Sequence, residues 1–265
     1  MSWIEALILG LVQGLTEFLP VSSSGHLELG SALFGLTNPD DNLRFSIIVH
    51  GATVLSILVV FRKDIIAIIR EVLRFQWNEE TRFAALLLVS AIPVGIAGLL
   101  FEESIGSFFG GRVVFVGYML LVTAGLLFLT RFATQEKKEL TFLHAIIIGA
   151  AQTIAILPGI SRSGATISMA LFLGIDREKA TRFSFLMVLV PIVGATFMEI
   201  RDLSAQSAGT DAVALTPLLT GFVAAFLSGL FACSWMIRLV KQGKIVYFSI
   251  YCLVVGLAAI LTGVM

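Results

Sequence analysis

An apolar stretch that breaks into a polar turn occurs twice in this chain, and this repeat limits the available folds more than any other feature. The first copy runs from Gly10 to His26. Its residues Gly10, Gln13, Ser22, Ser24 and Gly25 recur as Gly149, Gln152, Ser161, Ser163 and Gly164, all at an offset of 139. The tripeptide at residues 44–46, Arg-Phe-Ser, recurs at an offset of 138 as residues 182–184. The chain is therefore predicted to be a duplicated unit.

The composition indicates the class of protein. Of the 265 residues, 57% are hydrophobic and 14% are charged, whereas about 25% of the residues in a typical soluble domain are charged. The 18 basic and 18 acidic residues balance, so the net charge does not indicate a nucleic-acid partner. Cys233 and Cys252 lie in apolar segments, where we expect small hydrophobic residues and no disulfide. The chain is predicted to be an all-α polytopic membrane protein.

Neither interrupted segment is long enough to cross a bilayer. A span needs about 20 apolar residues for about 30 Å of hydrocarbon, and Pro20 with the following serines cuts the first segment short. Irregular backbone at membrane depth is tolerated where protein or a wet cavity surrounds it. We therefore expect residues 3–36 and 142–174 to form re-entrant helix-turn-helix hairpins whose turns line a cavity.

Three transmembrane helices are predicted after each hairpin. They cover residues 45–61, 84–101 and 113–132 in a first repeat, residues 1–132, and residues 183–200, 215–237 and 245–264 in a second repeat, residues 142–265. Because three is odd, the second repeat enters the membrane from the opposite side, which is the inverted-topology plan. Residues 1–265 thus form a single membrane domain in which the hairpins meet near the midplane.

The basic residues predict the orientation of this domain. Fourteen of them lie in the segments that join spans one to two, three to four and five to six, and only Arg44, Arg112 and Arg201 lie on the opposite side. Segments rich in Lys and Arg remain in the cytoplasm. Both termini and the mouth of the first hairpin are therefore predicted to face outward.

Three ionisable residues fall within membrane-embedded sequence: Glu17 and His26 in the first hairpin and Arg162 in the second. A charge at the centre of a membrane helix costs at least about 2.5–3.5 kcal/mol, which indicates a function. The structural alternatives are an ion pair that only holds the repeats together and a hydrogen-bonded core histidine. His50 is interpreted as a structural histidine or as a residue that supports the site, and His144 as an interfacial residue.

Residues 158–166, with the sequence PGISRSGAT, are predicted to bind phosphate. They combine three hydroxyl groups, one arginine and two glycines, and they lead into a helix. Glycines let backbone N–H groups approach an anion, and a helix N-terminus adds its dipole. The guanidinium of Arg162 matches phosphate oxygens.

Gln13 and Glu17 are the predicted metal ligands. They lie one helical turn apart on the same face and offer the oxygen atoms that Mg²⁺ or Ca²⁺ takes together with substrate phosphates. Such a cation and Arg162 would neutralise charge on a transferring phosphoryl group.

His26 follows three serines closely enough for general acid–base catalysis, and a serine hydroxyl is a candidate nucleophile. The spacing alone does not rank Ser22, Ser23 and Ser24.

These motifs resemble those of the bacterial undecaprenyl-diphosphate phosphatase family of the bacitracin-resistance type. Residues 13–26 are similar to its [Glu/Gln]-x-x-x-Glu element with a Pro-x-Ser-Ser-x-Gly-His continuation. Residues 158–166 are similar to its Pro-Gly-x-Ser-Arg-Ser-x-x-Thr element. Gln13 stands where many members carry glutamate, so Glu17 would have to act as the base.

The resemblance implies hydrolysis of undecaprenyl diphosphate to undecaprenyl phosphate and phosphate, which recycles the lipid carrier for peptidoglycan synthesis and gives bacitracin resistance. It implies a divalent metal and a site that opens to the periplasmic side of the bacterial inner membrane. The expected catalytic residues are Glu17, Ser23, His26 and Arg162. The expected phosphate-binding residues are Ser22, Ser161, Arg162, Ser163 and Thr166. A homodimer is left open as the assembly state.

A secondary transporter is the competing interpretation, because inverted repeats with broken helices are typical of transporters. Its sharpest form is a flippase for a polyprenyl phosphate lipid, which could be combined with hydrolysis. The glutamate, histidine and serines beside a phosphate-binding turn favour an enzyme, since transport needs binding but no nucleophile.

Overall fold

The computed structural model describes residues 1–106, 108, 112–134, 136–192 and 215–263. Within these ranges the regular structure is helical, apart from one isolated β-bridge between Lys138 and Ile175. The helices are α1 (Trp3–Phe18), α2 (Ser23–Leu33), α3 (Pro39–Val60), α4 (Arg62–Val72), α5 (Glu79–Gly106), α6 (Val113–Leu129), α7 (Phe142–Ile154), α8 (Arg162–Phe172), α9 (Arg177–Met187), α10 (Leu215–Lys241) and α11 (Tyr247–Gly263). Short 3₁₀ turns cover Thr130–Phe132 and Lys244–Val246.

Among the described residues, five helical segments are long and apolar enough to cross a membrane. They are Asp41–Val60, Glu79–Phe101, Val113–Phe132, Leu215–Lys241 and Lys244–Gly263. The prediction of an all-helical, multi-pass membrane protein is confirmed for the part of the chain that the structure describes. Of the predicted span at residues 183–200, the beginning lies in α9, and residues 193–200 lie outside the described residues.

The two polar turns begin their second helices with the same serine cap. Before Pro20, Leu19 adopts an extended conformation (φ −68°, ψ 144°), so that α1 ends at Phe18. Ser22 then caps α2 by accepting a hydrogen bond from the N–H of Gly25, and Ser161 caps α8 by accepting one from the N–H of Gly164. The serines and glycines that repeat in the sequence therefore build two equivalent helix starts.

Helices from the two halves of the chain pack against each other through glycines. Helix α1 packs on α10, where a Cβ atom on Gly10 would lie 2.5 Å from the carbonyl oxygen of Gly221. Helix α7 packs on α5. Helix α6 packs on α11, where a Cβ on Gly117 would lie 2.8 Å from the oxygen of Gly256, and a Cβ on Gly256 would lie 2.9 Å from the oxygen of Gly117. The halves are thus interleaved, and neither forms a separate core.

Arg182, in the middle of α9, connects that helix to the first turns of α4 and α5. Its Nε–H donates to Asp64 of α4 at 2.7 Å, and its Nη2–H donates to Glu80 of α5 at 2.9 Å. The guanidinium also lies 4.4 Å from the centre of the Phe83 ring, within the range of a cation–π contact. These contacts hold α9 in place, and α9 contains Ser184, whose carbonyl oxygen bonds Arg162 of the second polar turn.

We expect Gly10→Val to lower the melting temperature of the purified protein by roughly 3–10 °C, because the added atoms force α1 away from the backbone of α10. Thermal unfolding in detergent measures this effect. Gly98→Val in α5 is the matched control, since a Cβ at Gly98 meets nothing within 4 Å. Equal losses in the two variants would contradict the close α1–α10 contact.

Candidate functional site

A cavity of about 270 Å³ lies where the turn between α1 and α2 meets the turn between α7 and α8. Its polar lining includes Glu17, Ser23, Ser46 and His50 from the first half of the chain and Ser161 and Arg162 from the second. Its apolar lining comes from the second half alone: Ala155, Ile156, Ile160, Val188 and Ile192. The cavity lining therefore combines charged and polar groups with aliphatic side chains.

An ion pair between Glu17 and Arg162 joins the two turns. Arg162 Nη2–H donates to Glu17 Oε1 at 2.8 Å, and the side chains are only 14% and 7% exposed, respectively. Arg162 Nη1–H also donates to the carbonyl oxygen of Ser184 at 3.3 Å. The structure thus brings together two predicted catalytic residues that are 145 positions apart in the sequence.

The other oxygen of the Glu17 carboxylate has three neighbours. Glu17 Oε2 accepts hydrogen bonds from Gln13 Nε2–H at 3.0 Å and from Ser23 Oγ–H at 2.7 Å. His50 Nε2 lies 3.3 Å away. With the Arg162 contact, the carboxylate has four polar neighbours. The buried negative charge is therefore stabilised by an opposite charge and by hydrogen bonds, and Gln13 and Ser23 lie beside it.

The three serines of the first turn have different partners. Ser22 Oγ accepts hydrogen bonds from the N–H groups of Gly25 at 3.3 Å and Gly159 at 3.1 Å, so it connects the two turns. Ser24 Oγ lies 3.4 Å from Ser22 Oγ. Of these three, Ser23 is the one that the structure places on the Glu17 carboxylate. The three hydroxyl groups, which the spacing alone does not rank, thus differ in their partners.

The predicted phosphate-binding residues of the second turn fall into two groups. Ser161 lines the cavity together with Arg162. Ser163 Oγ–H donates to the carbonyl oxygen of Leu19 at 3.3 Å, which gives a second connection between the turns. Thr166 is fully buried, and its hydroxyl bonds the carbonyl oxygen of Arg162 at 2.9 Å. Ser163 and Thr166 therefore support the turn from behind the cavity.

The structure gives His26 and His50 different surroundings. His26 contacts the carbonyl oxygen of Ser22 through Nδ1 at 2.8 Å and the hydroxyl of Tyr251 through Nε2 at 2.9 Å, and it is not among the described residues that line the cavity. His50, which lies in α3, contacts Glu17 instead. The sequence signal for His50 was its position inside a span, whereas nothing in the sequence indicated Tyr251. His144 is outside the site, with Nδ1 on the carbonyl oxygen of Glu139 at 3.2 Å.

Repeat-related positions face the same cavity. At the offset of 139, the pairs are Thr16 with Ala155, Glu17 with Ile156, Ser22 with Ser161 and Ser23 with Arg162, and at 138 the pair is His50 with Val188. The second half thus has isoleucine where the first has its carboxylate. Gln152, the counterpart of Gln13, is buried with no hydrogen-bond partner for its amide, because its neighbour four positions on is Ile156.

Comparison with known proteins gives one consistent relationship. The family described as Bacitracin resistance protein BacA matches residues 6–258. A protein named undecaprenyl-diphosphatase from Christiangramia forsetii is 53% identical over 262 residues, which cover 98% of each chain. Proteins with the same name from Bacteroides thetaiotaomicron and Desulforapulum autotrophicum are 48% and 40% identical, each over 99% of both chains.

Breaking the buried ion pair on one side should cost more stability than removing both charges. Arg162→Met leaves the Glu17 carboxylate without its guanidinium, which costs about 3–5 kcal/mol for a buried pair. We expect Glu17→Gln combined with Arg162→Met to recover part of that loss. Unfolding of the two single variants and the double variant in detergent measures the coupling, and strictly additive losses would contradict a direct interaction.

Proposed function

The chain belongs to the bacitracin resistance protein BacA family, and we propose from this membership that it hydrolyses undecaprenyl diphosphate to undecaprenyl phosphate and inorganic phosphate. It is a multi-pass protein of the bacterial inner membrane, and the reaction recycles the lipid carrier for peptidoglycan synthesis and gives bacitracin resistance. The observation that carries the proposal is the cavity itself, in which a serine–carboxylate pair and an arginine face an apolar wall.

We propose that Ser23 is the nucleophile and Glu17 the proton acceptor, because Ser23 Oγ–H already donates to Glu17 Oε2 at 2.7 Å. Ser23 Oγ forms a bond to the terminal phosphorus, while the bond from that phosphorus to the bridging oxygen breaks. Glu17 passes the serine proton to the leaving lipid phosphate. Water then cleaves the phosphoserine, and Glu17 transfers a proton from that water to Ser23 Oγ, which releases phosphate.

Arg162 and Ser161 are the proposed phosphate-binding groups, since both line the cavity. The hydrogen bonds of Arg162 to Glu17 and Ser184 use two of the five donors of a guanidinium, which leaves others for phosphate oxygens. Positive charge here stabilises the negative charge that develops on a transferring phosphoryl group. Ser22, Ser163 and Thr166, which the sequence placed in the same group, hold the turns in position.

The residues present fit a divalent cation that binds together with the substrate. Gln13 Oε1 is a buried acceptor with no hydrogen-bond partner, and it lies on the residue that contacts Glu17. Amide and carboxylate oxygens suit Mg²⁺ or Ca²⁺, with phosphate oxygens and water completing the shell. The described ranges contain no group of three or more His, Cys, Asp or Glu side chains that could hold a metal. The remaining ligands of the cation would therefore come from water and from the substrate phosphate. When bound, the cation supplies charge neutralisation at the phosphoryl group.

The apolar wall is the proposed site of the first isoprenoid units. Ile156, Ile160, Val188 and Ile192 supply the aliphatic part of the cavity lining. A substrate with a diphosphate head and a hydrocarbon chain can contact both the polar and the aliphatic groups, because burial of apolar surface gains about 25 cal/mol per Å² removed from water. The serine–carboxylate pair favours hydrolysis over transport alone.

We further propose that residues 1–132 and 142–265 form an inverted-topology repeat with re-entrant hairpins. The contact between Gly117 and Gly256 supports it, because these positions are related by the repeat offset and equivalent residues meet at a two-fold axis. The distribution of basic residues supports periplasmic termini and a cavity that opens outward. A homodimer remains a proposal that the molar mass of the detergent-solubilised protein would test.

Phosphate release from undecaprenyl diphosphate by the purified protein tests the function. We expect release with added Mg²⁺ or Ca²⁺ and loss of release after EDTA. Ser23→Ala should lower kcat at least about 10³-fold, because it removes the attacking oxygen. Ser234→Ala is the control, since Ser234 Oγ–H bonds only the carbonyl oxygen of Leu230 on α10. If the unmodified chain releases no phosphate under any metal condition, the proposed hydrolase activity is refuted.

A polar side chain on the apolar wall should weaken the use of the lipid substrate. We expect Ile156→Gln to lower kcat/KM for undecaprenyl diphosphate about 10-fold, the cost of losing one buried aliphatic contact. Steady-state kinetics measure the change. Ile154→Gln, at a site on α7 that is 61% exposed, is the matched control and should retain the original value. The same value for both variants would place the isoprenoid chain elsewhere.

A further inference from the structure

Tyr251, a residue of the last helix, contacts the first polar turn through His26. The Tyr251 hydroxyl lies 2.9 Å from His26 Nε2, and the two rings are stacked with centres 5.6 Å apart and planes 13° from parallel. We propose that Tyr251 is a positioning residue for the reaction: it fixes the tautomer and orientation of the His26 imidazole, which holds Ser22 and thereby places Ser23. This inference rests on the proposed function for its catalytic consequence.

The hydrogen bonds of His26 specify one tautomer of the neutral ring. A carbonyl oxygen can only accept, so the Ser22 carbonyl, 2.8 Å from Nδ1, requires a proton on Nδ1. In the neutral imidazole, Nε2 is then the acceptor, and the Tyr251 hydroxyl must donate to it. Loss of that donor would remove one of the two hydrogen bonds that select this tautomer, and the other tautomer cannot donate to Ser22.

Ser22 needs such support because its backbone is strained. Its φ of +69° lies in a region that residues other than glycine seldom adopt, and such strain costs about 1–3 kcal/mol unless the surroundings determine it. Here the carbonyl oxygen accepts from both the backbone N–H and Nδ1–H of His26, at 3.1 and 2.8 Å. The side-chain oxygen accepts from Gly25 and Gly159. Ser22 is thus held from both ends.

The position of Ser22 determines the position of Ser23, the next residue. Ser23 is the first residue of α2, and its Oγ reaches Glu17 at 2.7 Å from the position that Ser22 gives it. Both ring nitrogens of His26 are committed to protein atoms, and His26 is outside the set of described cavity-lining residues. His26 therefore acts through Ser22 and Ser23, in place of the acid–base role that its sequence position indicated.

Tyr251→Phe tests the proposal, because it keeps the stacked ring and removes only the donor. We expect kcat for phosphate release to fall roughly 10-fold or more, as expected for a misplaced nucleophile, with KM and melting temperature unchanged. Tyr247→Phe, one turn earlier on α11 and 70% exposed, is the matched control and should behave as the unmodified chain.

Nitrogen-15 NMR provides a readout that does not depend on activity. The chain contains three histidines, so histidine-selective labelling gives three imidazole patterns, and His26→Gln identifies the one to follow. We expect His26 to show the Nδ1–H tautomer in the unmodified chain and a mixture in Tyr251→Phe. An unchanged tautomer in Tyr251→Phe, or an unchanged kcat, would overturn the proposal. An unmodified chain that releases no phosphate would refute the proposed function while leaving the NMR result informative.

Discussion

The ion pair between Glu17 and Arg162 is the interaction on which the rest of the structure depends. A charge in membrane-embedded protein is costly unless an opposite charge and hydrogen bonds compensate it. Glu17 and Arg162 lie on separate polar turns, so satisfying both requires the turns to meet. The bonds from Ser22 to Gly159 and from Ser163 to Leu19 then fix the distance between the turns. The cavity is the space that this meeting leaves beside the carboxylate.

Much of this arrangement could be predicted from the sequence, because the length of an apolar run and the spacing of a repeat can be read directly from the residues. Apolar runs indicated the helices that cross the membrane, and the offset of 139 indicated which turns face each other. The partners of individual side chains were less accessible. Composition placed Ser163 and Thr166 in a phosphate-binding turn, but their hydroxyls are used by backbone carbonyls. The contact of His26 with Tyr251 joins residues 225 positions apart, and no spacing rule reaches that far.

The two halves contribute unequally to a cavity that equivalent positions surround. The first half provides the carboxylate, the serine and the imidazole, and the second provides the guanidinium and the hydrocarbon surface. Glu17 and Ile156 show this division directly, since they occupy the same place in the repeat. If the two halves were identical, two carboxylates would face each other across the small cavity and would repel each other. With isoleucine at the counterpart position, this repulsion is absent.

The amide of Gln152, which has no hydrogen-bond partner, shows the same difference between the two halves. A gene duplication copies every residue, including those whose purpose later disappears from one copy. Gln13 has Glu17 four residues away, whereas Gln152 has Ile156 there, so its buried amide carries the desolvation penalty of an unmet polar group. Gln152 therefore keeps the residue type of the repeat without the partner that Gln13 has in the first half.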